Sequence, residues 1–194
     1  MQLAIAGGVA AAIAVIIIGA LIMRRKMGGR SMPPGLQPGQ PLPAFDALDE
    51  DGKIRHSDDL RGRPTVILFV RGSWCPFCSR QVANLTKHYK DINELGARLI
   101  LITPKPLQTT RRVAKLFEVE FEFWLDDDLA IANQLGLVLS SGVPADYQNE
   151  YGKDTYWPAS IVVDGNGIIR HTWLSKFIMD RPDPAKLFDA VKSL

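Results

Sequence analysis

The chain has 194 residues, 46% of them hydrophobic and 23% charged, with 23 Lys and Arg against 21 Asp and Glu. Four of the basic residues fall in the first thirty positions, where there is no acid, so residues 31–194 carry 19 basic against 21 acidic side chains. The slight basicity thus belongs to the N-terminal stretch, no basic stripe with interleaved aromatics occurs, and nothing calls for a nucleic-acid partner.

From Leu3 to Met23 there is no charged residue, and a helix of that length is about 30 Å long, the thickness of a bilayer's hydrocarbon core. Residues 1–23 are therefore expected to be a single-pass transmembrane anchor. A cleaved signal peptide is the competing reading, but the basic n-region and a small-x-small cleavage site are missing. Arg24, Arg25, Lys26 and Arg30 follow the span at once, so the positive-inside rule places the rest of the chain in the cytoplasm. The periplasmic side is the alternative, because tethered redox proteins commonly face the oxidising compartment. Residues 24–43, a basic flank and then a Gly/Pro-rich stretch, read as a linker. Residues 44–194 have the size of one domain with one core.

Asp49-Glu50-Asp51-Gly52 between Phe45-Asp46-Ala47-Leu48 and Lys53-Ile54-Arg55 predicts an opening hairpin. Thr65 to Val70, β-branched and aromatic between Arg63-Pro64 and Gly72, predicts a buried strand, and Pro76 to Leu95 has the apolar spacing of an amphipathic helix. A strand over Arg98–Ile102, a helical segment around Thr110–Phe117, a strand over Phe121–Leu125 and a short helix over Asp128–Leu135 follow. Leu139 to Trp157 reads as a long irregular loop, the kind that is functional or mobile. Ala159–Asp164 and Ile168–Trp173 around Gly165-Asn166-Gly167 predict a second hairpin, and a helix over Pro184–Val191 ends the chain. The alternation predicts an α/β fold with a central sheet covered by helices on both faces.

Both cysteines of the chain, Cys75 and Cys78, fall at the junction of the buried strand and the amphipathic helix. Pro76 suits the first helical position, which makes Cys75 the N-cap and puts Cys78 in the first turn. Unpaired N–H groups and the helix dipole there favour a thiolate, lowering a thiol from about 8.5 into a range of roughly 3.5 to 7.5. A zinc site is the poorer reading, since only His56, His88 and His171 remain as ligands and none stands at ligand spacing to the pair. A purely structural disulfide would close so short a loop that it gains little unfolded-state entropy. Reversible dithiol chemistry leads both, and it requires no bound cofactor.

With these elements in order, the domain resembles the thioredoxin-like superfamily and, within it, the alkyl hydroperoxide reductase/thiol-specific antioxidant (AhpC/TSA) redoxins, as a peroxiredoxin-like member with a CxxC centre. The resemblance runs from about Gly39 to Leu194. It rests on Gly39-Gln40-Pro41-Leu42-Pro43-Ala44-Phe45, Leu60-Arg61-Gly62-Arg63-Pro64, Trp74-Cys75-Pro76-Phe77-Cys78, Gly96-Ala97-Arg98-Leu99-Ile100 and Trp157-Pro158-Ala159 leading into Val163-Asp164-Gly165-Asn166-Gly167. Arg181-Pro182-Asp183-Pro184 resembles the ending of such members. The resemblance implies a thioredoxin-like fold, with Pro158 preceded by a cis peptide bond and packed against the cysteine pair. The chain departs from typical peroxiredoxins in carrying Gly72 three residues, and Leu68 seven residues, before Cys75, where the family has Thr or Ser and Pro. It departs from thioredoxins in having no acid on the strand before the pair.

The expected function is a membrane-tethered thiol-disulfide oxidoreductase. Cys75, as the more exposed and more thiolate-like sulfur, attacks a disulfide, and Cys78 resolves the adduct to a Cys75–Cys78 disulfide that an external dithiol, thioredoxin-like or other, reopens. Arg71 and Arg80 are candidates for positive potential near the sulfur, and Trp74 and Phe77 for an apolar frame around it. The alternative is a thiol-dependent peroxidase acting on hydroperoxides, with Tyr147 or Tyr156 from the long loop replacing the missing donors. A copper-carrying module ranks lower: soft thiolates select Cu(I), but His171 is the only late candidate ligand.

Overall fold

The computed structural model describes residues 13–21, 31–105 and 122–194. Residues 13–21 form a helix, α1, with exposed side chains; it lies within the expected anchor, whose remaining parts are outside the described residues. No helix among the described residues is long and apolar enough to cross a membrane. The expected helix around Thr110–Phe117 also lies outside them.

A seven-stranded mixed sheet forms the centre. Its strands are β1 (Asp46–Asp49), β2 (Ile54–His56), β3 (Thr65–Phe69), β4 (Arg98–Thr103), β5 (Glu122–Leu125), β8 (Ala159–Val163) and β9 (Ile169–Leu174). They lie in the order β2-β1-β5-β4-β3-β8-β9. β3, β4 and β5 run parallel, β8 and β1 join antiparallel on either side, and the two expected hairpins supply the edges. Every residue of β3 is buried, as expected of a continuous apolar run at the centre of a sheet covered on both faces.

The two-residue alternation of β3 and β4 sorts their side chains into two cores. Val66, Leu68, Leu99 and Leu101 face Val82 and Leu85 of α2 (Pro76–Thr86), Ile92 of α3 (Tyr89–Glu94) and Leu187 and Val191 of α6 (Pro184–Lys192). Ile67, Phe69, Ile100 and Ile102 face the opposite way, toward Trp124, Ile131 and Leu135, and Ile131 lies on α4 (Ala130–Gln134). The cysteines belong to the first core.

The helix expected over Pro76–Leu95 is two helices. Thr86 turns its hydroxyl back onto the Val82 carbonyl at 3.0 Å, and the next two N–H groups, of Lys87 and His88, donate three residues back instead of four. Back-bonding by threonine tightens and bends a helix without any Gly or Pro to announce it.

The Leu139–Trp157 segment is more ordered than its composition implies. It holds most of a two-stranded sheet of β6 (Val138–Leu139) and β7 (Thr155–Tyr156), a 3-10 turn at Ala145–Tyr147 and the short helix α5 (Gln148–Tyr151). These elements are too short for a periodic signal. The end of the Gly/Pro stretch also packs onto the domain: Leu36 is fully buried, and Gly39 and Leu42 donate to Ile169 and Gly167.

Candidate active site

β3 hands the chain over at Val70, whose N–H donates to Ile102 of β4, and Arg71 to Trp74 then turn it into α2. Gly72 makes that turn at φ 114°, and a Cβ there would lie 2.7 Å from Cε1 of Tyr151. The Tyr151 ring thus fills the space that a side chain at position 72 would need. Its hydroxyl pairs with Ser73 Oγ at 2.9 Å. Cys75 is the N-cap, in extended backbone geometry, with Pro76 as the first helical residue. Its carbonyl accepts from the N–H groups of Cys78 and Ser79 at 3.0 and 3.1 Å.

Both cysteines are free thiols, and both are buried, with Cys75 only 1% and Cys78 0% exposed. Cys75, expected to be the more exposed sulfur, is the less deeply buried of the two by a margin of 1%, and neither sulfur is open to solvent. What covers the pair is a side chain 106 residues further on: Arg181 Nη2 stands 3.4 Å from Cys75 Sγ and 3.1 Å from Cys78 Sγ. Its Nη1 donates to the carbonyls of Ile178 and Asp180, which fixes the guanidinium over the sulfurs. The Arg71 backbone N–H also donates to Cys78 Sγ, at 3.4 Å.

Arg71 itself is buried. Its Nη2 donates to the Gly142 carbonyl at 2.5 Å, and its guanidinium carbon lies 4.4 Å above the Trp74 ring. The Nε atoms of Arg71 and Arg181 are both buried without a hydrogen-bond partner. Two guanidinium groups therefore stand at the site with unspent donors, a costly arrangement unless an anion forms there.

The electrostatics divide the pair. Cys75 is lowered to about 6, chiefly because the Cys78 thiol hydrogen-bonds its sulfur, with the Cys78 N–H, Arg181 and Arg71 adding to the effect against the opposing cost of burial. Burial pushes Cys78 well above the usual thiol range. Near neutral pH the pair holds one thiolate, on Cys75, and one thiol, on Cys78. We expect iodoacetamide labelling of the reduced protein to occur at Cys75 first, with a rate that falls as pH drops through about 6, because only the thiolate reacts. Mass-spectrometric mapping across pH checks this, and earlier labelling of Cys78 would reverse the assignment.

The remaining expected site residues divide. Trp74 is half-buried and stacked on Tyr147, with ring centroids 6.2 Å apart, and Phe77 packs against the first core. Pro76 is exposed at the helix start, and Arg80 is exposed beside Phe77 and lines a groove without reaching the sulfurs. Tyr156 is fully buried in the second core, its hydroxyl donating to the Asp126 carbonyl at 3.3 Å, so it supplies nothing to the site. The peptide bond before Pro158 is trans, since no cis bond occurs among the described residues. The chain is held on both sides of that bond: Trp157 N–H donates to Leu137 at 2.6 Å, and the Pro158 carbonyl accepts from Ser175 at 3.0 Å. His171 sits on β9 opposite Val162, and among the described residues no three His, Cys, Asp or Glu side chains converge as a metal site would require.

Arg181, Tyr151 and Gly142 complete the site without having been singled out by sequence reasoning. The one available signal was Arg181-Pro182-Asp183-Pro184, a proline-rich entry to a capped helix, and it carried no indication of where the arginine points.

The AhpC/TSA family model matches residues 38–172. The chain belongs to the AhpC/TSA family. Peroxiredoxin Q of Gentiana triflora is 26% identical over 136 residues, 70% of this chain and 58% of that protein. The putative peroxiredoxin bcp of Coxiella burnetii is 19% identical over 140 residues, 71% of this chain and 88% of that protein. The thiol:disulfide interchange protein DsbE of Escherichia coli K12 is 28% identical over 135 residues, 69% of this chain and 63% of that protein. The chain thus spans less than two thirds of the Gentiana and Escherichia relatives. Peroxidoxin BcpB of Mycobacterium tuberculosis superposes with a TM-score of 0.64 at 20% identity, over 82% of this chain and 98% of that one. The peroxiredoxin-like protein of Aquifex aeolicus gives 0.65 at 15% identity, over 84% and 90%. The fold is thioredoxin-like.

Proposed function

We propose that the protein is a thiol-disulfide oxidoreductase that cycles Cys75 and Cys78 between dithiol and disulfide, held at a membrane by residues 1–23. The observation that carries this reading is the asymmetric pair under Arg181: a Cys75 thiolate at a helix N-cap, hydrogen-bonded by a Cys78 thiol that stays protonated. Cys75 attacks a substrate disulfide and displaces one substrate thiolate. Cys78, losing its proton, then attacks Cys75 Sγ, releases the second substrate thiolate and closes the Cys75–Cys78 bond. Arg181 touches both sulfurs and so stabilises the thiolate at either one.

The second reading, reduction of hydroperoxides, is favoured by the unspent Nε donors of Arg71 and Arg181 and by the peroxiredoxins among the relatives. Against it, position 72 has no side chain to orient a peroxide, and the nearby Ser73 hydroxyl is taken up by Tyr151. One preorganised donor is worth about 10² to 10³ in rate. Stopped-flow mixing of the reduced protein with hydrogen peroxide, cumene hydroperoxide and a model protein disulfide decides between them. We expect peroxide constants within about tenfold of a free thiol at matched ionisation and faster turnover of the disulfide. Peroxide constants hundreds of times above the free thiol would make the protein a peroxidase.

A further inference from the structure

Two arginines bring more positive charge to the sulfurs than the sulfurs return. Arg71 and Arg181 both stand at a pair that holds one thiolate, and among the described residues neither forms an ion pair with a carboxylate. Arg71 is only 3% exposed, and after burial its electrostatics are set by Cys75, Cys78 and the neighbouring Arg181. Six buried side-chain polar atoms of the described residues lack a hydrogen-bond partner, and three of them are Arg71 Nε, Arg181 Nε and Trp74 Nε1. All three side chains belong to this corner: Trp74 precedes Cys75 and carries the Arg71 guanidinium on its face, while Arg181 reaches both sulfurs. Buried donors without partners are costly, so a cluster of them marks where an acceptor belongs. The excess of positive charge makes that acceptor an anion. Arg181 arrives on the segment 175–183, a strap that joins β9 to α6, with its Nη1 fixed on the Ile178 and Asp180 carbonyls. Between the strap and α2 lies a groove of about 350 Å³, a volume suited to a small molecule, lined by Phe77, Arg80, Phe177, Met179, Asp180 and Arg181. Arg80 and Asp180 oppose one another in charge there, which leaves Arg181 and Arg71 as the cations without a counter-charge.

We propose that the pair reduces low-molecular-weight S-sulfonates, R–S–SO3⁻, with Arg71 and Arg181 as the residues that bind the sulfonate. The inference rests on the reading of the pair as a cycling dithiol and names its substrate class. Arg181 Nη2 lies 3.4 Å from Cys75 Sγ, so an anion that it binds sits beside the sulfur under attack. In an S-sulfonate the charged group is one bond from that sulfur, whereas the carboxylate of a cysteine-derived disulfide is three bonds away. The sulfonate also presents three oxygens in a tetrahedral array, which two guanidinium forks and an indole N–H can meet from different sides. Its charge grows from one to two as it leaves as sulfite. Donors placed on it therefore act on the transition state more than on the bound substrate.

The Cys75 thiolate attacks the sulfur that carries R, the bond to the sulfonate sulfur breaks, and sulfite leaves with the electron pair. The product is the mixed disulfide R–S–S–Cys75. Cys78 then loses its proton and attacks Cys75 Sγ, and R–S⁻ leaves and takes up that proton. The S-sulfonate is reduced by two electrons to a thiol and sulfite, and the dithiol is oxidised by two electrons to the Cys75–Cys78 disulfide.

The test uses the reduced full chain in detergent and two substrates that differ only in the group joined to the cysteine sulfur, S-sulfocysteine and S-methylthiocysteine. Each rate is divided by that of dithiothreitol with the same substrate, which removes the difference between leaving groups, and released sulfite, thiol and Cys75–Cys78 disulfide are counted. We expect the normalised S-sulfonate rate to exceed that of the neutral disulfide by about a hundredfold, since one donor aimed at developing charge is worth about 10² to 10³. One sulfite and one thiol should appear per disulfide formed. Arg71→Met should lower the ratio about thirtyfold, and Arg71→Lys should recover part of it. Because a variant at so buried a position can misfold, the wild type carries an independent readout: methanesulfonate should slow iodoacetamide labelling of Cys75 saturably, and chloride at equal ionic strength should not. S-sulfonated insulin B chain should react at least about tenfold more slowly than S-sulfocysteine, because the groove has the volume of a small-molecule site. A wild-type ratio near one, or methanesulfonate that does no more than chloride, would overturn the sulfonate site while leaving the cycling pair intact. A B chain that outpaces S-sulfocysteine would overturn the low-molecular-weight class. If neither substrate yields the Cys75–Cys78 disulfide, the cycling reading itself fails.

Discussion

Cys75→Ser should abolish turnover, and Cys78→Ser should stop the protein halfway, with substrate covalently held on Cys75. The two variants differ because the sulfurs differ. A serine at position 75 keeps the N-cap and the packing but has no thiolate to offer, so no first adduct forms. A serine at position 78 leaves the attacking thiolate in place, still beside Arg181 and still beside a hydroxyl that donates much as the Cys78 thiol does. It lacks only the internal sulfur that releases the adduct. Intramolecular attack by a well-placed group is worth an effective concentration of about 10⁵ M or more, so its loss leaves the mixed disulfide to external thiols and lengthens its life by at least about a thousandfold. Cys78→Ala removes the donor as well and should move Cys75 back toward the ordinary thiol range, a separation that labelling against pH reads directly. Mass spectrometry of the Cys78→Ser protein after one mixing with a disulfide substrate shows the trapped species; the same adduct on Cys78 in the Cys75→Ser protein would invert the roles.

The parts of this site that were legible in the sequence are those set by neighbours along the chain. The β-branched and aromatic Thr65–Phe69 run, the Cys75 N-cap and the Pro76 first position follow from local chemistry, and the structure keeps each of them. Both hairpins were legible for the same reason, through Asp51-Gly52 and Gly165-Asn166-Gly167. What was not legible depends on chain returning from far away. Neither sulfur is open to solvent, and the group that covers them, Arg181, arrives on the 175–183 strap more than a hundred residues further on. Gly72 read as the loss of a family hydroxyl. In the fold it is the position that lets the Tyr151 ring approach, and its φ of 114° disfavours any other residue. Tyr151 and Tyr156, five positions apart, end in different places, the first against Gly72 and Ser73 and the second in the second core, because one closes α5 and the other lies on β7, and neither element is long enough to show its period.

Arg181→Met should cost activity and spare the fold. Removing the guanidinium takes away a cation 3.4 Å from Cys75 Sγ and 3.1 Å from Cys78 Sγ. An opposing charge at that range shifts a neighbour's titration by about one to three units, so the Cys75 midpoint should rise from about 6 by at least one unit. Near pH 6.5 a one-unit rise lowers its thiolate fraction, and so its alkylation rate, about threefold, and a two-unit rise about twenty-five-fold. Turnover falls further, by about a hundredfold, because the donor that meets the Cys78 thiolate as it forms or leaves is lost too. Arg181→Lys should recover part of the midpoint shift through its charge, and less of the turnover, since one ammonium does not reproduce the planar fork that spans two sulfurs. A merely structural role predicts something else: thermal stability and activity would fall together. Here they should part. In the wild type, the lowered Cys75 value gives stability that is fully present above the ordinary thiol range and is lost as pH falls through about 6, where the sulfur takes a proton and the guanidinium is left covered without an anion. Replacing such a cation by an apolar side chain of similar length is commonly neutral or stabilising. The Met variant should therefore melt at or above the wild-type temperature at pH 5 and lose that advantage as the pH is raised. A variant that melts well below wild type at pH 5, with activity reduced in proportion, would return Arg181 to the role of a structural strut.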